Sequence, residues 1–292
     1  MARAVNGAAW RTGLAKNGIE NPLLGYLRRE ILPSAFCAGC GCGTVLNLFT
    51  RAIHESSMKP EEIVCVTGIG CSSWIPSPYF RCDTLHTTHG RALAFATGIK
   101  VMKPHLKLVV IAGDGDIAGI GGNHLIHAAR RNAGMSVFLV NNSIYAMTGG
   151  QVAPTTPAGV ATTTTPHGSV EQPMDAVELA RAAGAGYVAR WTTYHVFQLK
   201  NAMKKAIARQ GFSFVEIVSQ CPVSFGKSIG LRTAADFLNR YKRDCVRLKD
   251  AAAMSREELS GKIVIGEFAD AERPEFAASL WAMNERVRGA RA

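Results

Sequence analysis

Asp114 and Asn142 stand 28 positions apart, each at the end of a strand-like apolar run. Asp114 follows Lys107-Leu-Val-Val-Ile-Ala-Gly113, and Asn142 follows Met135 to Val140 and a first asparagine, Asn141. In open α/β sheets, ligands bind outside the carboxyl ends of the strands. A carboxylate oxygen from Asp114, an amide oxygen from Asn142 and the Ile144 carbonyl form an all-oxygen donor set. That set suits a hard cation such as Mg²⁺, which keeps water and phosphate oxygens in its other positions. Gly113 and Gly115 flank the carboxylate and let the backbone turn closely around a phosphate. The chemistry indicated is capture of a diphosphate through a shared divalent cation.

The same letters, Gly113 to Ala118, also fit GxGxxA, a dinucleotide fingerprint. That reading needs an acidic residue at the end of the next strand to hold a ribose. Here the strand ends in Asn141-Asn142, with Arg130-Arg131 before it, which favours the metal–diphosphate reading.

Eight cysteines form the second group with chemistry to offer: Cys37, Cys40, Cys42, Cys65, Cys71, Cys82, Cys221 and Cys245. Cys37-Ala-Gly-Cys40 puts two thiols on one tight turn, as iron–sulfur and structural zinc sites both require. Cys71 and Cys221 each follow a strand-like run, so both can reach the edge where Asp114 lies. Cys42, Cys65, Cys82 and Cys245 read as buried or incidental thiols, although spacing also allows Cys42 as a ligand. Nothing indicates secretion, so a disulfide framework is disfavoured and a cytoplasmic setting is expected.

The chain has 292 residues, enough for one large α/β domain with an extension. No apolar run is long enough for a membrane span, and the start lacks the apolar core of a secretory signal. Net charge is +11, from 33 basic and 22 acidic residues. The basic residues gather near the termini and around Lys200 to Arg209 and Arg240 to Lys249. No aromatic-interleaved basic face or known module supports nucleic-acid binding. Attraction of an acidic protein is the alternative to a merely solvated surface.

Positioning these groups requires a parallel sheet flanked by helices. Strands are expected at Glu61–Thr67, Lys107–Ala112, Met135–Val140, Tyr187–Arg190 and Phe212–Val218. Helices are expected at Arg91–Met102, Gly119–Asn132, Met174–Ala183 and Tyr194–Ala208. The segment from Tyr145 to Pro173 is too long for an ordinary connection, which marks it as functional or disordered. Residues 1–35 read as an N-terminal arm, poorly ordered over its first 25. Residues 36–226 read as the cofactor domain. Residues 227–292 read as an extension packed on it, with a strand at Lys262–Phe268 and a helix at Pro274–Val287.

Six segments together resemble the β subunit of the 2-oxoacid:ferredoxin oxidoreductases: FCAGCG (36–41), GIGCSS (68–73), THGRALAFATGIK (88–100), GDGD (113–116), NNSIYAMTGGQVAPTTP (141–157) and CPVSFG (221–226). The resemblance extends from Phe36 to the C-terminus. It implies a thiamine diphosphate-binding domain of the diphosphate type, with Mg²⁺ held by Asp114, Asn142 and Ile144. It also implies a 4Fe–4S cluster on Cys37, Cys40, Cys71 and Cys221. Thiamine diphosphate is then expected against Ile69, Gly70, Cys71, Ser72, His89, Gly113, Gly115, Asp116, Ala146, Met147 and Thr148. His89 and Thr148 would face the reacting end. The remaining histidines, with His86 the most doubtful, read as structural.

The activity implied is coenzyme A-dependent oxidative decarboxylation of a 2-oxoacid, with electrons leaving through the cluster to ferredoxin. The MTGGQ form resembles enzymes of 2-oxoglutarate or branched-chain 2-oxoacids, with pyruvate as a further alternative. The sequence departs from common family members at Ala38, Ala146 and Gly149. One sheet domain supplies no carboxylate for the cofactor's aminopyrimidine. The resemblance therefore implies an α subunit bringing the pyrimidine-binding domain and its glutamate, and it admits small γ and δ subunits. A zinc-bearing interaction subunit is the reading from another class.

Overall fold

The computed structural model describes residues 21–290; the first 20 residues of the expected arm lie outside the described residues. Eight strands form a single sheet: β1 (Ile63–Thr67), β2 (Asp83–His86), β3 (Lys107–Gly113), β4 (Met135–Asn141), β5 (Tyr187–Thr192), β6 (Phe212–Val218), β7 (Cys245–Arg247) and β8 (Ile263–Asp270). Their spatial order is β2-β1-β3-β4-β6-β5-β8-β7. The first six are mutually parallel. The fully parallel expectation fails at one edge, where β8 runs antiparallel to β5 and β7 follows β8. The described part of the expected extension, residues 227–290, thus extends the same sheet as well as packing on it.

Alternate residues along the central strands enter opposite cores, as a pleated strand buried on both faces requires. On β3, Val109 and Ile111 join one cluster and Leu108, Val110 and Ala112 the other. The first face is covered by α1 (Gly41–Glu55) and later by α5 (Val196–Ala208). The second carries α2 (Ala92–Met102), α3 (Gly122–Arg131) and α4 (Ala176–Ala182). Helix α1 was not expected; it begins at Gly41, inside the glycine- and cysteine-rich run, where intrinsic helix propensity is low. Its buried Val45, Phe49, Ala52 and Ile53 supply the tertiary contacts that hold it.

Beyond β6 come α6 (Phe225–Ile229), α7 (Ala234–Asp244) and the single turn α8 (Leu248–Ala251), then α9 (Phe276–Gly289) after β8. Helix α9 is tied to α2 by Trp281 Nε1–H, which donates to the Val101 carbonyl at 2.7 Å. Residues 21–35 are held down too: Arg28 donates to the carbonyls of Pro78, Phe80 and Cys82 at 2.9, 3.1 and 3.2 Å.

Chain order reverses between β1 and β3, because β2 lies on one side of β1 and β3 on the other. Such a switch point opens a crevice at the strands' carboxyl ends. The turns after β1, β3 and β4 all empty into it.

Candidate active site

The turn after β1 begins at Gly68, where a Cβ would run into the Asp116 carboxylate. Ile69 N–H donates to Asp116 Oδ2 at 3.0 Å. The other carboxylate oxygen, Oδ1, accepts the Gly90 N–H and meets His89 Nδ1 at 3.0 Å. Asp116 is 2% exposed, so it fastens two turns together from below while touching the crevice. With Nδ1 at the Asp116 carboxylate, Nε2 is the ring nitrogen turned away from Asp116.

Asp114 ends β3 and is also buried, at 3% exposure. Its Oδ1 accepts Gly115 N–H at 3.0 Å, and its Oδ2 accepts Ser143 N–H at 2.9 Å and the Thr155 hydroxyl. All three partners are neutral. Burial pushes the carboxyl up to about 6, against the opposing pull of those hydrogen bonds. A buried acid served only by neutral donors fits a cation that is to be added.

The paired asparagines divide their work. Asn141 Nδ2 donates to Glu216 Oε1 at 2.7 Å, and its Oδ1 accepts Ser143 N–H at 3.0 Å. Glu216 is in turn paired with Arg190 at 2.6 Å. Asn141 is therefore a strut, and Asn142 is the member that lines the crevice. Ser143, with φ of +61°, turns the chain so that Ile144 lies on the crevice wall.

The crevice is lined by every residue expected against the cofactor, and by Asn142, Ile144 and Tyr145 besides. Tyr145 was not singled out in the sequence. Its ring packs where a Gly115 Cβ would stand, its hydroxyl donates to the Gly115 carbonyl at 3.1 Å, and it meets His89 edge-on. Thr155 was likewise missed, although TTP repeats mark the loop that brings it. The Thr148 hydroxyl is engaged by Gln151 Oε1 at 2.7 Å. Ile69 and Met147 stay exposed at the rim.

Five thiols share one electrostatic neighbourhood beside the crevice. Cys71, on its wall, is pushed up to about 11 by burial and by Cys40, Cys221 and Cys37. Cys40 is held at about 7, chiefly by the hydrogen bond from the Cys42 thiol. The hydrogen bond with Cys40, then burial and the neighbouring Cys71 and Cys221, raise Cys42 well above the usual range. Among the described residues, no three His, Cys, Asp or Glu side chains stand at metal-holding distances. The cysteines are gathered in one neighbourhood but not drawn into a closed ligand set. Cys65 and Cys82 lie buried elsewhere in the core.

Residues 68–217 match the family model of the thiamine pyrophosphate enzymes, C-terminal TPP binding domain. The chain is 53% identical over 268 residues to a 2-oxoglutarate synthase subunit KorB from Methanocaldococcus jannaschii, covering 92% of this chain and 99% of that one. A subunit of the same name from Methanothermobacter marburgensis is 52% identical over 270 residues, covering 92% and 94%. A 2-oxoglutarate:ferredoxin oxidoreductase from Magnetococcus marinus, solved with 2-oxoglutarate, coenzyme A and succinyl-CoA bound, superposes with a TM-score of 0.80. Identity to it is 32%, over 91% of this chain and 90% of that chain.

Proposed function

The chain belongs to the β subunits of the 2-oxoacid:ferredoxin oxidoreductases, and from that premise we propose that it binds thiamine diphosphate in a complex that oxidises 2-oxoglutarate to succinyl-CoA. The observation that carries this reading is the crevice itself. Asn142 and Ile144 lie on its wall, the buried and neutrally partnered Asp114 stands between the lining residues Gly113 and Gly115, and a thiol cluster lies alongside.

Thiamine diphosphate, when bound, supplies a carbon nucleophile for the oxo group and a sink for the electrons released as CO₂ departs. Asp114, Asn142 and the Ile144 carbonyl would hold Mg²⁺ and, through it, the diphosphate. Asp116 fixes His89 at the crevice, so that its Nε2 can hold or move a proton at the reacting end. Tyr145 closes the floor over Gly115, and Ile69 and Met147 offer apolar surface that excludes water once covered. Cys37, Cys40, Cys71 and Cys221 would hold a 4Fe–4S cluster, which supplies one-electron transfer next to the cofactor. Thiol chemistry of this kind is suited to the reducing cytoplasm.

Apart from Asp116, already engaged three times over, the crevice lining offers no carboxylate for the cofactor's aminopyrimidine. We assign that group to an α subunit, with ferredoxin as the electron acceptor and γ and δ subunits completing some assemblies. The deciding experiment co-expresses this chain with its α partner and follows viologen reduction over a panel of 2-oxoacids. Turnover of 2-oxoglutarate that requires both coenzyme A and thiamine diphosphate is expected. Turnover of pyruvate or branched-chain 2-oxoacids alone would overturn the substrate assignment.

A further inference from the structure

A dicarboxylic 2-oxoacid brings a second negative charge that must be met once water is excluded. Neither lysine nor arginine lines the cofactor crevice, and its single imidazole, His89, is bonded to Asp116. A second cavity adjoins it, sharing Ile144 and Ala146 as common wall. The turn 147–150 borders both: Met147 and Thr148 face the crevice, while Gly149 and Gly150 face the second cavity.

Beside the buried Ile144, the boundary is low: Ala146 contributes a single methyl, and the adjoining Gly149 and Gly150, with φ of +119° and +93°, present no side chain. The second cavity is also lined by Thr163, which adjoins Gly150, by Ser228, and by one cation, Lys227. Among the described residues Lys227 has no ion-pair or hydrogen-bond partner. Lys200, which lines another groove, is by contrast paired with Glu55 at 2.6 Å.

We propose that Lys227 reads the distal carboxylate of the dicarboxylic 2-oxoacid, reaching it across the low wall formed by Ala146 and the two glycines. The inference rests on the 2-oxoglutarate reading given above. The substrate's reacting end stays at the crevice, its carbon chain crosses the wall, and the ammonium meets the terminal carboxylate among hydroxyl donors. A charge-assisted contact of this kind discriminates strongly against monocarboxylic acids, which leave the cation unmatched. Lys227 sits on the exposed side of the short helix α6, so its replacement leaves the core untouched.

The test uses the complex with its α subunit, carrying Lys227→Met or Lys227→Arg. Lys227→Met is expected to raise the KM for 2-oxoglutarate and the inhibition constant of glutarate by about 10–100-fold. The inhibition constant of butyrate and the KM for coenzyme A should stay put, and Lys227→Arg should recover most of the loss. Unchanged glutarate inhibition in Lys227→Met overturns the proposal. A rise confined to the KM for coenzyme A also overturns it, since the cation would then serve that co-substrate's phosphates. If the unsubstituted complex does not oxidise 2-oxoglutarate, the functional reading falls first and takes this proposal with it.

Discussion

At the scale of single residues, two buried aspartates two positions apart do different jobs. Asp114 carries an unmatched charge, and burial raises it to about 6 from an ordinary 3.8. The unfolded chain releases that proton earlier than the folded one does. Stability of the cofactor-free chain should therefore be greatest below the ordinary value and fall as pH rises to about 6, by at most about 3 kcal/mol. Binding of Mg²⁺ and thiamine diphosphate needs the ionised form, so affinity should weaken below about pH 6, approaching tenfold per pH unit. Titrations at pH 5 and pH 7.5 decide this, and equal affinities would remove Asp114 as the metal's carboxylate. Asp116, by contrast, spends its charge on positioning. Asp116→Asn leaves at least one of three donors facing an amide N–H, at about 1–3 kcal/mol. Lower thermal stability and weaker thiamine diphosphate binding are both expected; retention of full binding would mean that His89 and Ile69 need no such anchor.

At the scale of elements, the loop after β4 decides how well the site is preorganised. Although it runs from Tyr145 to Pro173, it folds back on itself, with Thr163 N–H bonded to the Gly150 carbonyl and Ser169 N–H to that of Val160. Its product is Thr155, set against Asp114, and Thr156, whose hydroxyl donates to the Ser143 carbonyl at 2.7 Å. Thr155→Val keeps the shape and removes one donor to the buried carboxylate. It should raise the pH midpoint of Mg²⁺–thiamine diphosphate binding above that of the unsubstituted chain and leave thermal stability within about 1 kcal/mol. An unshifted midpoint would show that the hydroxyl does not tune Asp114. Long, polar and rich in threonine, this loop announces a functional role in sequence. Which of its threonines arrives at Asp114 depends on how it closes.

At the scale of the whole molecule, the proposed reaction needs a carboxylate that the crevice lining does not supply. The crevice lining holds oxygen donors but, apart from the engaged Asp116, no carboxylate, and its rim leaves Ile69 and Met147 exposed. The isolated chain should bind iron and show no 2-oxoacid turnover until its α partner is added. Iron content also separates the five neighbouring thiols. Cys221→Ala should lose the cluster, while Cys42→Ala should retain it with an altered reduction potential, because the Cys42 thiol bonds Cys40. Iron lost from Cys42→Ala and kept in Cys221→Ala would exchange the two residues' roles. No helix among the described residues is long and apolar enough to cross a membrane.

The sequence by itself carried the donor types, their places at strand ends, most of the alternating elements and the family. These are local properties: periodicity, turn chemistry and the spacing of a few reactive side chains survive in one dimension. Only the tertiary structure showed that Asn141 braces while Asn142 lines, that Asp116 anchors His89, and that Tyr145 and Thr155 belong to the site. It also turned β7 and β8 against the other strands and raised α1 from a glycine-rich stretch. Each of those outcomes depends on which buried polar group finds which partner, often dozens of residues away, and sheet register and loop closure settle that pairing only when the whole chain packs.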